Sequence, residues 1–274
     1  MTRKERIAEA KEYLDYVVDQ MAQADNDIKS RLRTHIQDII RSSFAFGVFD
    51  KSFQFKDNAA LDRKIDQILS AYDDSVETII QNRSLAVKAI SEDKNGDQVA
   101  DAIIIAFIGG KIFDETMKER LARYSSQLKS QIEAYISIGY ANGWSEQKIL
   151  AEYMTWANNP LLSPKLMAAF RDSSYMASLI KAKGITYGSG NYTSVLASSK
   201  RLEQDLIFQS YNYADNYIWR KDPKVIGWAS FRGSSYPCSL CDGEVGIIKP
   251  IREPFYQYHP NCCCIAIPIY KDDL

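Results

Sequence analysis

The chain has 274 residues, 46% hydrophobic and 25% charged, with a net charge of −1 at pH 7 and an isoelectric point near 6.2. That is an ordinary globular mixture, with material for one large domain or two unequal ones. The charge balance excludes a protein that works through a global basic field on nucleic acid, while leaving room for local basic faces.

The opening residues, MTRKERIAEAKEYLDYVVDQM, are charged from position 3 and contain no apolar run of signal-peptide type. Ile7, Ala10, Leu14, Val17 (or Val18) and Met21 form one helical stripe. Asp27 to about Phe46 reads as a second helix with Ile28, Leu32, Ile36 and Ile39 or Ile40, and about Ala60 to Ile90 as a third with Leu61, Ile65, Ile68, Leu69, Tyr72, Val76 and Ile79. His35, alone on its amphipathic helix, is a surface or boundary residue. DKNGDQ (Asp93–Gln98) resembles a calcium loop only superficially. The Gly and Glu required at positions 6 and 12 are replaced by Gln98 and Ile104, so a polar turn is expected. Val99–Gly110, VADAIIIAFIGG, is the most apolar stretch. It falls short of the about 20 residues needed to cross a bilayer and contains Asp101, so it reads as a buried helix.

A fourth helix is expected from near Asp114, with Met117, Leu121, Tyr124, Leu128, Ile132 and Tyr135 in step. Gly143 breaks it, and Ser145 is the expected N-cap of the next, which runs to about Trp156. NNP at 158–160 and Pro164 bracket a loop, and a helix follows to about Lys183. GITYGSGNYTS (Gly184–Ser194) reads as a linker. A last long helix covers about Ser194 to Trp219, with Leu202, Leu206, Tyr213 and Tyr217 among its apolar positions. The texture then changes. KVIGWASF (Lys224–Phe231) and CCCIAIPIY (Cys262–Tyr270) are short and β-prone, separated by glycines and prolines. The expected architecture is therefore mainly α: a helical body over 1–190, and over 191–274 a small C-terminal α+β module.

The chemistry gathers in that module. All five cysteines lie there, in PCSLC (Pro237–Cys241) and HPNCCC (His259–Cys264), beside one of only two histidines. A nucleobase deaminase would need H-x-E upstream of P-C-x-x-C, but the upstream histidine, His35, is followed by Ile36 and Gln37. A thioredoxin-type C-x-x-C would open a helix, whereas DGEVG, a turn, follows this one. A chain without a signal peptide is expected in a cytosol, where cysteine clusters bind metal more often than they form disulfides. The spacing Cys238-x2-Cys241-x17-His259-x2-Cys262-x-Cys264 suits a tetrahedral zinc site. Cys238, Cys241 and His259 are three candidate ligands, and Cys262 or Cys264 is the fourth. Alternation along a β-prone run puts Cys262 and Cys264 on one face and Cys263 on the other. Four good ligands leave no open position, which makes the expected Zn2+ structural.

RLEQDLIFQSYNYADNY (Arg201–Tyr217), GWASF (Gly227–Phe231), CSLCDGEVG (Cys238–Gly246) and HPNCCCIAIPIY (His259–Tyr270) together resemble the phage Mu F-like head morphogenesis family, the minor head proteins of tailed phages and prophages. Arg201 takes the place of the family's helical Arg, and Glu203 or Gln204 that of its Glu. Trp228, Cys238, Cys241, Gly243, His259, Pro260, Cys262, Cys264 and Pro268 fall on their counterparts. Two positions depart: Cys263 stands where the family carries Arg between the last two cysteines, and R-L-E shifts the Glu register by one. The resemblance covers about 75 of the residues and leaves the helical body untouched. It implies a non-enzymatic virion protein acting in head morphogenesis. Portal, scaffold or coat proteins are then its partners, with packaged DNA and further copies of the chain as additional candidates. It would reside in the virion, and in the host bacterial cytoplasm during assembly, with no membrane association. The 17 tyrosines suit large partner contacts.

The alternative is a metal-dependent nuclease or other enzyme acting on DNA, with Asp242, Glu244 and Glu253 near the cysteines and His259 as base. It lacks a second nearby histidine and any basic excess. A third possibility is a host protein that binds DNA through the module, with Lys200, Arg201, Arg220, Lys221 and Lys224 as a local basic patch, although ordinary helix-surface charge is the better account of them.

Overall fold

Apolar spacing of three and four carries through the first half of the chain, and the backbone follows it. The computed structural model describes residues 1–47, 54–112, 114–158, 194–233, 238–258, 262 and 264–273. The helices are α1 (Arg3–Phe46), α2 (Ala59–Asn95), α3 (Asp101–Gly109), α4 (Met117–Ala141), α5 (Glu146–Asn158), α6 (Val195–Trp219) and the single-turn α7 (Ser239–Asp242). The strands are β1 (Lys111–Ile112), β2 (Glu115–Thr116), β3 (Val225–Phe231), β4 (Ile248–Pro250) and β5 (Ile265–Tyr270). The protein is thus mainly helical, with a small three-stranded C-terminal sheet. Asn158, expected in a loop, is the last residue of α5, while 159–160, the helix expected up to Lys183 and most of the expected linker lie outside the described residues.

Several expectations shift in detail. The helix divided near Asp27 in the sequence reading is one continuous α1. Neither Gly nor Pro occurs between Arg3 and Phe46, and the buried stripe continues through Val17, Ala24, Ile28 and Leu32. In α2 the stripe holds from Leu61 to Val76 and then moves to Ile80, leaving Ile79 half-buried. The Asn58 Oδ1 caps α2, accepting from the N–H groups of Ala60 and Leu61 at 3.1 Å each. The apolar run Val99–Gly110 is not a buried helix. It is a half-exposed one in which Val99, Ile104 and Ile108 alone are buried. Asp114, with φ of 69°, sits in a two-residue hairpin between β1 and β2 that delays α4 to Met117. Gly143, with φ of 64°, ends the α4 region, and Ser145 Oγ accepts from the Lys148 N–H at 3.3 Å as the expected N-cap of α5.

The chain divides into two compact units. One comprises Met1–Asp25, Thr78–Thr116 and Arg201–Leu274, and the other Asn26–Glu77 and Met117–Lys200. From Arg201 onward the C-terminal stretch therefore shares its unit with 1–25 and 78–116, segments that the sequence reading assigns to the helical body. In the second unit, Tyr135, Tyr153 and Trp156 form a buried aromatic trio with ring centroids 5.3 to 5.7 Å apart, and Tyr153 donates to Gln131 Oε1 at 3.1 Å. Ser125 donates to Asp73.

In the first unit, Ala10, Leu14, Val17 and Ala24 share a core with Val87, Ile207, Phe208, Tyr211, Ala229, Ile265, Ile267 and Ile269. The sheet order is β4-β3-β5, antiparallel throughout. Gly227 makes the β3–β4 pairing close, because a Cβ there would strike the Lys249 carbonyl oxygen. Beneath the sheet lies a buried polar network. Lys94 Nζ pairs with Asp215 and donates to Tyr211 Oη at 2.7 Å. Ser91 Oγ and Asn95 Nδ2 donate to Asp215 Oδ1 at 2.6 and 2.7 Å, and Trp219 Nε1 donates to Asn95 Oδ1 at 2.8 Å. Burial pulls the Lys94 ammonium below its ordinary range, against the opposing pull of Asp215.

Removing one partner strands the other charge. Lys94→Met should cost about 3–5 kcal/mol in urea denaturation, and Lys94→Met with Asp215→Leu should recover at least half of it. A double variant no more stable than the single one would contradict this. In the second unit, burial pushes the Asp73 carboxyl up to about 6, with Asp74 adding to the rise and the Ser125 hydroxyl opposing it. Its folded value therefore exceeds its unfolded one, near 3.9. The associated stability is complete below pH ~4 and is lost as pH rises through about 6. Asp73→Asn should gain stability relative to the parent across that window, and a flat difference would remove the argument.

Candidate metal centre

Three short pieces build the centre. Cys238 has extended backbone and stands at the N-cap of α7, whose one turn carries Cys241. The Cys238 carbonyl accepts from the Asp242 N–H at 2.9 Å and that of Cys241 from the Val245 N–H at 2.9 Å, so the C-x-x-C segment is a closed knuckle. Cys262 and Cys264 lead into β5. Pairing of Phe231 with Ile265 and of Ser230 with Ala266 fixes where that strand begins. The third piece, 250–258, covers the cluster. Trp228 Nε1 donates to the Glu253 carbonyl, and the Phe255 ring lies 5.1 Å from Trp228 and 5.4 Å from Tyr258. Gln257 Nε2 donates to the Cys262 carbonyl at 2.7 Å, tying the cover to the ligand segment.

The thiols of Cys241, Cys262 and Cys264 are buried and lie within 4.8 Å of one another. They share a small core with Trp219, Val225, Trp228, Phe255 and Ala266, against which Cys238 also packs. The Cys241 and Cys262 sulfurs are 3.7 Å apart. A disulfide would need about 2.0 Å, and none of the four described cysteines is in a disulfide. A tetrahedron of sulfur ligands at about 2.3 Å has edges of about 3.8 Å, so the observed separation fits a shared metal ion.

The charges are poised accordingly. Hydrogen bonding from the Cys264 thiol, assisted by the Cys264 N–H at 3.4 Å and by Cys241, pulls Cys262 down to about 5 against its burial. Burial, with hydrogen bonding to Cys238, pushes Cys241 up to about 11. Cys264 is raised by its bond to Cys262 and by burial. A cation entering such a cluster would displace the protons that its thiols carry. Arg232 stands at the edge of the cluster, where burial lowers its pKa but interactions led by the Asp242 carboxylate outweigh that and raise it. It donates to the Cys238 carbonyl at 3.2 Å and to Asp242 at 2.6 Å.

The structure thus brings together Cys238, Cys241, Cys262 and Cys264. It places both Cys262 and Cys264 in the cluster, where the spacing argument admitted one. His259 and Cys263 lie outside the described residues. Asp242 and Glu244, the carboxylates offered for acid–base work, form ion pairs with Arg232 at 2.6 Å and Lys249 at 3.0 Å, and Glu253 is exposed. Glu203, offered for the family's helical Glu, is fully buried on α6. Arg232, Gln257 and Phe255 had no sequence signal of their own, since each acts through a turn whose path the sequence does not specify. No protein-family model, no curated protein and no solved structure matches the chain.

Cys241→Ser should abolish metal retention on desalting. A loss of about 3–4 kcal/mol would lower the melting temperature by about 10 °C, at roughly 3 °C per kcal/mol for a chain of this size. A variant that melts like the parent and keeps its metal would exclude the cluster as a ligand set.

Proposed function

We propose that the chain is a minor head protein of a phage or prophage, acting in head morphogenesis through contacts with portal, scaffold or coat protein, and that a structural zinc ion holds its C-terminal module. The reading is carried by one observation: the cysteines on which the Mu F-like resemblance rests converge in a buried cluster. Cys241, Cys262 and Cys264 supply three donors, and Cys238, hydrogen-bonded to Cys241, supplies the fourth. Sulfur donors favour zinc over calcium or magnesium, and four protein donors close the site to water. The non-enzymatic reading draws support from the surrounding carboxylates, which are engaged in surface ion pairs or exposed.

Two measurements test the proposal separately. Metal analysis of the purified protein should find about one zinc per chain, and the cobalt-substituted form should show the absorption of a four-sulfur site. His259→Ala should leave both unchanged. A spectrum of three sulfurs and one nitrogen that His259→Ala destroys would replace Cys238 by His259. Mass spectrometry of particles released from a lysogen carrying the gene should find the chain in the heads at a few copies. Its presence in the lysate alone would overturn the head-protein reading and leave the metal site standing.

A further inference from the structure

The four described cysteines are not equivalent. Cys241, Cys262 and Cys264 are 2 or 3% exposed, whereas Cys238 is half-buried and packs on the cluster from its edge. We propose that the C-x-x-C knuckle is a peroxide-sensitive modification site: a hydroperoxide oxidises Cys238, Cys241 closes a disulfide with it, and the metal ion is released. The release rests on the metal reading above, in which Cys238 and Cys241 are two of the four donors. The disulfide does not.

Three observations choose this pair. An oxidant in solvent meets first the sulfur that solvent reaches, and that is Cys238. Its partner is already in place, because the Cys238 and Cys241 side chains are hydrogen-bonded to each other. Both sulfurs lie on one closed turn, held by the Asp242 N–H on the Cys238 carbonyl at 2.9 Å, so joining them requires no movement of β3 or β5. The competing pairs are worse placed. Cys241 and Cys262 are 3.7 Å apart, but both are buried, so neither is oxidised first. Cys262 and Cys264 stand just before β5, with the Cys262 carbonyl tied to Gln257 Nε2 at 2.7 Å.

The Cys238 sulfur attacks one peroxide oxygen. An S–O bond forms, the O–O bond breaks, and the departing oxygen leaves as water. The Cys241 sulfur then attacks the Cys238 sulfur, the S–S bond forms, and the S–O bond breaks to release a second water. The two sulfurs lose two electrons and the peroxide gains them. The two protons come from the thiols, or from solvent where the sulfurs are metal-bound thiolates. A disulfide sulfur is no longer a thiolate donor, so the site falls from four donors to Cys262 and Cys264 and cannot stay closed. Trp228 and Phe255, which pack on these sulfurs, then lose the cross-link beneath them.

The test is graded oxidation of the purified, metal-loaded chain with hydrogen peroxide. Released zinc is followed with a chromogenic chelator, and the remaining thiols are alkylated before tryptic digestion. Cys238 and Cys241 fall on one tryptic peptide, 233–252, and the other three cysteines on another, 253–271. The expected first product is peptide 233–252 lighter by two hydrogens, with Cys262 and Cys264 still alkylated and one zinc released for each such peptide. A thiol reductant with added zinc should restore both. Cys238→Ser should leave Cys241 alkylated at the dose that converts the parent. Zinc retained after peptide 233–252 is oxidised, a first disulfide between the two peptides, or equal loss of the Cys241 thiol in the variant would overturn the switch. A chain that holds no zinc before oxidation would sink the metal reading and the release with it, and the peptide map would still decide the disulfide.

Discussion

An ammonium group removed from water must have an anion at hand, and in this protein Lys94 has Asp215. Because both are nearly fully buried, the pair admits little slippage between the end of α2 and the last turns of α6. That register brings Asn95 under Trp219, and Trp219 belongs to the apolar wall around the cysteines. The turn after α6 then delivers Val225 into β3. A polar contact on the other side of Trp219's hydrogen bond therefore sets where the sheet starts, and through the sheet where Cys262 and Cys264 emerge.

The module around the cysteines has little apolar material of its own. Trp219, Val225, Trp228, Phe255 and Ala266 are its buried members besides the thiols. Among the described residues so few contribute little against the entropy of ordering a loop-rich segment, which is the physical reason that the proposed metal cross-link would serve there. A disulfide would need two sulfurs at covalent distance. Three buried thiols within 4.8 Å of one another could hold a shared cation instead.

Helices were legible because their apolar spacing is long and regular. Leu61 to Val76 and Met117 to Tyr135 bury as the period demands, with Tyr124 half-exposed. The β-prone runs became β3 and β5 almost where alternation and branching placed them. What escaped was set by tertiary contact. β4 has only three residues and exists because Gly227 lets the Ile248–Pro250 backbone approach. α3 has an apolar sequence, yet its exposed face is decided by what packs on the other one, where Phe107 stacks on Tyr213 at 4.4 Å. At the metal centre, spacing identified the cysteines but could not choose between Cys262 and Cys264. Both join because the chain enters β5 only at Ile265, which leaves the two thiols free to turn toward Cys241.

The core that joins Ala10, Leu14 and Val17 to Ile265, Ile267 and Ile269 has a consequence for synthesis. The early part of α1 leaves the ribosome with its apolar stripe uncovered, because its partner strand β5 is made about 250 residues later. At about 5–20 residues per second the gap lasts on the order of 10–50 s. For that time α1 offers a sticky surface to any neighbour, including another nascent copy on the same message. The unit can close only when β5 has been threaded into place, so termination before β5 would yield a chain with its helices and an open seam. Such products should be recognised by chaperones and proteases rather than accumulate as native-like fragments.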